Sequence, residues 1–199
     1  MFMRLTALLS FAILLAGCQP KVGYSVGTDL GPLQPGETRH LVGTDLGPVQ
    51  PGQTKLQIKL PPEKWIRSQI GSNYFYTCRA LACAHKVTLV LATFPIARNA
   101  HPKALANLAT SEITGKPGKA TLISGPRPLM ALGYHATIYS LSLTEHGTSN
   151  YAERMIIASG GLGIAITAMS VNAGEAKRAI EEFLANTTVE DGGPRPQTN

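Results

Sequence analysis

Residues 86–94 read Lys-Val-Thr-Leu-Val-Leu-Ala-Thr-Phe, a β-branched and nearly wholly apolar run. A strand with one wet face would alternate, so an unbroken apolar run of this length predicts a central strand covered on both sides. Three more strands are expected downstream, over Tyr134 to Leu143, Tyr151 to Ala158 and Leu162 to Ser170. The last two are joined across Ser159-Gly160-Gly161, where glycine supplies the positive φ of a tight hairpin. Upstream, Lys55-Leu56-Gln57-Ile58-Lys59-Leu60 alternates polar and apolar, as a half-buried strand does, and Pro61-Pro62 closes it. Two helices complete the pattern. Pro102 to Thr114 carries Leu105, Leu108, Ala109 and Ile113 at helical spacing, with Pro102 suited to the first turn and Gly115 to the stop. The final helix opens at Asn172 as a cap, has Glu175 three residues on, and places Ala176, Ala179, Ile180, Phe183 and Leu184 on one stripe. The expectation is an α+β domain over residues 55–188, an antiparallel sheet flanked by helices.

The residues Leu132-Gly133-Tyr134-His135-Ala136, Arg154-Met155-Ile156-Ile157 and Leu162-Gly163-Ile164-Ala165-Ile166, followed by the closing helix, resemble the PsbP-like α/β/α sandwich. Photosystem PsbP proteins, a Ran-binding nuclear transport factor, and several bacterial envelope lipoproteins and secretion chaperones share that architecture. The resemblance is one of pattern over residues 55–188. It implies a non-enzymatic binding or assembly module and transfers no functional residue.

Residues 1–17 carry one basic residue, Arg4, and then an uncharged run ending in Leu15-Ala16-Gly17-Cys18. The run, about 13 residues, is shorter than the roughly 20 needed to span a bilayer, and reads as a signal peptide. Its end resembles the lipobox of bacterial lipoproteins, which implies acylation of Cys18. Two or three acyl chains anchor a protein stably where one does not. Gln19 in the following position implies sorting to the outer membrane, facing the periplasm. Residues 18–54 are rich in proline and glycine and contain a 16-residue repeat, Val26 to Thr38 recurring as Val42 to Thr54. Such a segment predicts a semi-extended tether, or a duplicated docking peptide. The tail over 189–199, with Gly192-Gly193-Pro194, is expected to be disordered.

With Cys18 assigned to lipid, two of the three cysteines remain, Cys78 and Cys83. In an oxidising compartment their spacing suits a small disulfide-stapled loop. Free or redox-active thiols are the first alternative; a metal site is the second, although two thiols with only His85 nearby do not fill a tetrahedral shell.

Only 15% of residues are charged, against about 25% in ordinary domains, and the mean hydropathy is +0.04. The formal net charge of +6 is unevenly spread. Lys64, Arg67, Arg79, Lys86, Arg98, Lys103, Lys116, Lys119 and Arg127 face one acid, Glu112, between residues 64 and 144. This contrast suggests a basic surface for an anionic lipid or an envelope protein partner. Export and an aromatic content of 6% argue against nucleic acid. No nucleophile elbow, zinc-protease motif or phosphate loop is present. The five histidines are scattered, His135 reading as a half-buried strand residue, and Glu181 and Glu182 read as a solvated helix face. No catalytic residue, metal ligand or cofactor is nominated, and a non-enzymatic adaptor is expected. A carrier of a small apolar or anionic ligand, or a hydrolase assembled from distant residues, are the alternatives.

Overall fold

A computed structural model describes residues 39–43, 53–71, 73–97, 100–114, 120–145, 148–159 and 161–192. In chain order these form β1 (Arg39–Gly43), β2 (Gln53–Ile58), β3 (Trp65–Ile70), β4 (Asn73–Cys78), β5 (Val87–Pro95), α1 (Pro102–Thr114), β6 (Ala120–Ala131), β7 (Tyr134–Glu145), β8 (Thr148–Ser159), β9 (Leu162–Ser170), α2 (Ala173–Ala185) and β10 (Thr187–Asp191). The run over residues 86–94 becomes β5, third in a seven-stranded sheet of order β3-β4-β5-β9-β8-β7-β6. Every pairing within that sheet is antiparallel.

Each face of this sheet carries one helix. The even-numbered positions of β8 and odd positions of β7 meet α1, where Leu105 and Ala109 pack with Tyr139, Leu141, Ala152 and Ile156. On the other face Ala176, Ala179, Ile180 and Phe183 of α2 pack with Leu89, Leu91, Met155, Ile157, Ile164 and Ile166. Asn172 caps α2 as its sequence foretells, its side-chain oxygen accepting from the Glu175 N–H at 3.1 Å.

The expected α/β/α sandwich is nevertheless overturned. Among the described residues ten strands stand against two helices of 13 residues. A helix that long, about 20 Å by 10 Å, covers only part of a sheet about 30 Å across, so no helical layer forms on either side. On the α2 face the remaining cover is a second sheet, β1-β2-β10, which adds Val42, Leu56 and Ile58 to the core.

That small sheet crosses the expected boundaries: β2 falls on the strand expected from Lys55, but its two neighbours do not. β1 falls within the stretch read as tether, and pairs parallel with β2. β10 runs past residue 188 and pairs antiparallel with the other side of β2. Its sequence, Thr-Thr-Val-Glu-Asp, hides a strand because its inward positions are Thr187, Val189 and Asp191, only one of them apolar, and Glu190 reaches the buried Lys55 at 2.8 Å.

The β6–β7 hairpin turns on Leu132 (φ 53) and Gly133 (φ 83), both positive, as a two-residue turn matching strand twist requires. Leucine rarely adopts this conformation; here its half-buried side chain packs on the core and offsets the cost. Gly125 (φ 84) is irreplaceable on two counts, since a Cβ there would lie 2.6 Å from the Ile138 carbonyl oxygen. The peptide bond from Gly125 to Pro126 is cis.

Candidate functional site

The two edges of the large sheet differ. At one, β6 contains Pro126 and Pro128 and its register with β7 slips twice, between Leu122 and Ser124 and between Ser124 and Arg127. Proline lacks a donor and a slipped register twists the strand, so this edge is blunted. At the other, β3 carries no proline, and residues 66–70 are all exposed.

Three features converge along β3. Its first residue, Trp65, is buried, and the indole Nε1–H donates to Glu182 Oε1 at 3.0 Å. Glu182 Oε2 accepts from Lys64 Nζ at 2.5 Å, and the Lys64 ammonium sits 5.7 Å from the Trp65 ring centroid. This one carboxylate of α2 therefore fixes the start of β3 through a charge-assisted pair and an indole bond. A cleft of about 240 Å³ opens beside it, lined by Lys64, Trp65, Cys83, Glu175, Arg178 and Glu182.

Next along the strand, the Arg67 guanidinium lies 4.8 Å from the Tyr74 ring centroid, a cation–π contact in front of two buried tyrosines. Burial pushes the Tyr74 phenol upward, opposed by Arg67; burial pushes Tyr76 up to about 12, again against the nearby Arg67.

Finally, the Cys78–Cys83 disulfide closes a loop at the end of β4. At its tip Leu81 is fully exposed, and Arg79, on the loop's first residue, is held by an Nε–H bond to the Pro62 carbonyl at 3.3 Å. A shallow depression of about 620 Å³ runs between this loop and β3, lined by Glu63, Ile66, Arg79, Ala80, Leu81 and Ala82.

The six basic candidates among the described residues do not all lie together. Lys64, Arg67, Arg79 and Lys86 come together, because the residues before β3, after β4 and before β5 occupy the same end of three adjacent strands. Lys103 is on α1 and Arg127 is on β6 at the far edge of the sheet. Arg98, Lys116, Lys119 and Cys18 lie outside the described residues. His135 is exposed, not half-buried, because the adjacent Ala136 is the residue that turns into the core. The two glutamates divide: Glu181 stays exposed beside Lys177 at 4.0 Å, whereas Glu182 turns inward. Sequence reading missed Trp65, Ile66 and Leu81 and read Glu182 as solvated; the sole tryptophan, set between a lysine and an isoleucine, was the available signal. Among the described residues no group of three or more His, Cys, Asp or Glu side chains is placed to hold a metal, and no helix is long and apolar enough to cross a membrane.

No protein-family model matches the chain, and no curated protein matches its sequence. Its fold is similar to that of LpqN of Mycobacterium tuberculosis, a protein involved in cell envelope biogenesis. The TM-score is 0.53 at 14% identity, over 70% of this chain and 86% of that one. Weaker likenesses are to PA94 of Pseudomonas aeruginosa, a protein of unknown function (TM-score 0.47, 12% identity, 58% and 81% of the two chains), and to a protein of Bacteroides thetaiotaomicron (TM-score 0.43, 14% identity, 71% and 46%). At such identity the likeness to LpqN is one of fold alone.

Proposed function

We propose that this chain is a bacterial envelope lipoprotein, anchored through acylated Cys18 to the outer membrane and facing the periplasm, that binds another envelope component without doing chemistry on it. The observation that carries this reading is the stapled loop beside β3, which holds Leu81 fully exposed next to Ile66 and the cation Arg79. An apolar side chain held out by a covalent staple gains nothing for the fold, and is suited to burial in a partner. The fold shared with LpqN, a protein of cell envelope biogenesis, and the Leu15-Ala16-Gly17-Cys18 sequence support the compartment.

Two experiments test the parts separately. Cys18→Ala should move the protein from the membrane to the soluble fraction; unchanged membrane association would remove the anchor from the reading. Cross-linking in cells, with affinity capture of the lipoprotein, should return the same identified partner from independent preparations, attached near Leu81 or β3. Recovery of the monomer with a bound small molecule would replace the adaptor by a carrier.

A further inference from the structure

We propose that the outer edge of β3 accepts an extended, acidic peptide segment as an added strand. This rests on the adaptor reading above and specifies its partner. The backbone sets the geometry. The Arg79 N–H donates to the Lys64 carbonyl at 2.9 Å, which makes residues 64 and 79 a hydrogen-bonded pair of the antiparallel ladder. Alternation then directs the polar groups of residues 66, 68 and 70 toward β4, and those of Arg67 and Gln69 outward. Two N–H and two C=O groups thus stand at the spacing an incoming strand needs, on the edge of the large sheet that neither proline nor a slipped register protects.

The side chains set the sequence preference. Arg67 and Gln69 lie on the α2 face of β3, while Ile66 (48% exposed), Ser68 and Ile70 (38% exposed) lie on the other. An added strand therefore presents acidic residues beside Arg67 and apolar residues beside Ile66 and Ile70, in alternation. Arg79 and Lys86 lie exposed at the same end, against the single acid Glu63; Lys64 is already matched by Glu182. A second copy of this chain is the poorer occupant, since two-fold pairing about Ser68 puts both Arg67 side chains on one face of the joined ladder. A lipid surface can match the cations but offers no row of alternating N–H and C=O groups at strand spacing to pair with the edge.

The test uses the full chain and a blocked peptide, Glu-Val-Glu-Val-Glu-Val, with Lys-Val-Lys-Val-Lys-Val as the control. Binding of the acidic peptide should protect the Arg67 and Gln69 amides from hydrogen exchange. Gln69→Pro removes an outward donor without touching the β4 ladder, and should weaken binding about tenfold at unchanged melting temperature. Arg67→Glu should reverse the preference between the two peptides. Equal affinity for both peptides, or no protection at Arg67 and Gln69, would overturn the proposal. So would binding to phosphatidylglycerol vesicles in place of the peptide, or a dimer that Gln69→Pro dissolves. A cross-linked cellular partner attached away from β3 would sink this proposal and leave the adaptor standing. Peptide binding with no cellular partner would do the reverse.

Discussion

Glu182 shows how much one residue's setting escapes a reading of its neighbours. By spacing it belongs to the outer face of α2 with Glu181, yet it accepts from both Lys64 and Trp65. Removing it strands two donors at once, one of them the N–H of a buried indole. Glu182→Ala is expected to lower stability by about 1–3 kcal/mol in urea titration, and Glu182→Gln by less, because the amide oxygen still serves the indole. Tyr76 gives a prediction in pH. Its phenol titrates near 12 when folded, against about 10 in an unfolded chain, so the folded state holds its proton more tightly. The contribution is intact below about pH 10 and is lost as pH rises through about 12. Tyr76→Phe should therefore flatten the alkaline fall in the urea midpoint; an identical slope in the two proteins would contradict the assignment.

At the level of elements, runs with a strong period were legible and edges were not. β5, β7, β8, β9 and both helices fall where apolar runs, caps and spacing put them. β6 was hidden by its Gly-Pro-Arg-Pro, which breaks a central strand but is tolerated at an edge. The β3–β4 hairpin was hidden because β3 buries only its first residue and β4 buries three consecutive aromatics, Tyr74, Phe75 and Tyr76, so neither strand shows a period of two, with Gly71 (φ 60) in the turn between. The basic residues were legible one by one, but which of them meet depends on the strand order β3-β4-β5, which charge counting does not contain. The disulfide acts at this scale too. For so small a loop, chain entropy puts its contribution at about 2 kcal/mol. Cys78→Ala with Cys83→Ala should cost that much in guanidinium unfolding, or somewhat more because Cys78 is itself buried. Loss of less than about half of it would show that the loop is already held by its turn, where the Ala82 N–H donates to the Arg79 carbonyl at 2.9 Å.

For the whole molecule, both cores share one sheet, so neither has an independent unit to fold into. A single cooperative transition is expected, with coincident curves by tryptophan fluorescence and far-ultraviolet dichroism. The expectation of a helical sandwich failed at this scale, because helix count and order survive in the sequence while the covering of a face by a second sheet does not. β2, at the centre of that sheet, is closed on one side by β1 and on the other by β10. Truncation after residue 186 takes away one of the two partners of β2 and the acid beside Lys55, and should lower the melting temperature by several degrees; no change would show that β10 is dispensable.

The register of this small sheet also gives the molecule a polarity. Arg39 pairs with Gln53 and Asp191 with Thr54, so the chain enters β1 and leaves β10 at the same end of β2. From that end β2 runs about 20 Å to Ile58, and the chain turns through Pro61 into the start of β3 and the loop that carries Leu81. With Cys18 in the bilayer, as proposed, the anchored segment joins the fold at the pole remote from Leu81, the mooring pole. A tag fused after residue 192 would then share the mooring pole and leave the outward pole clear.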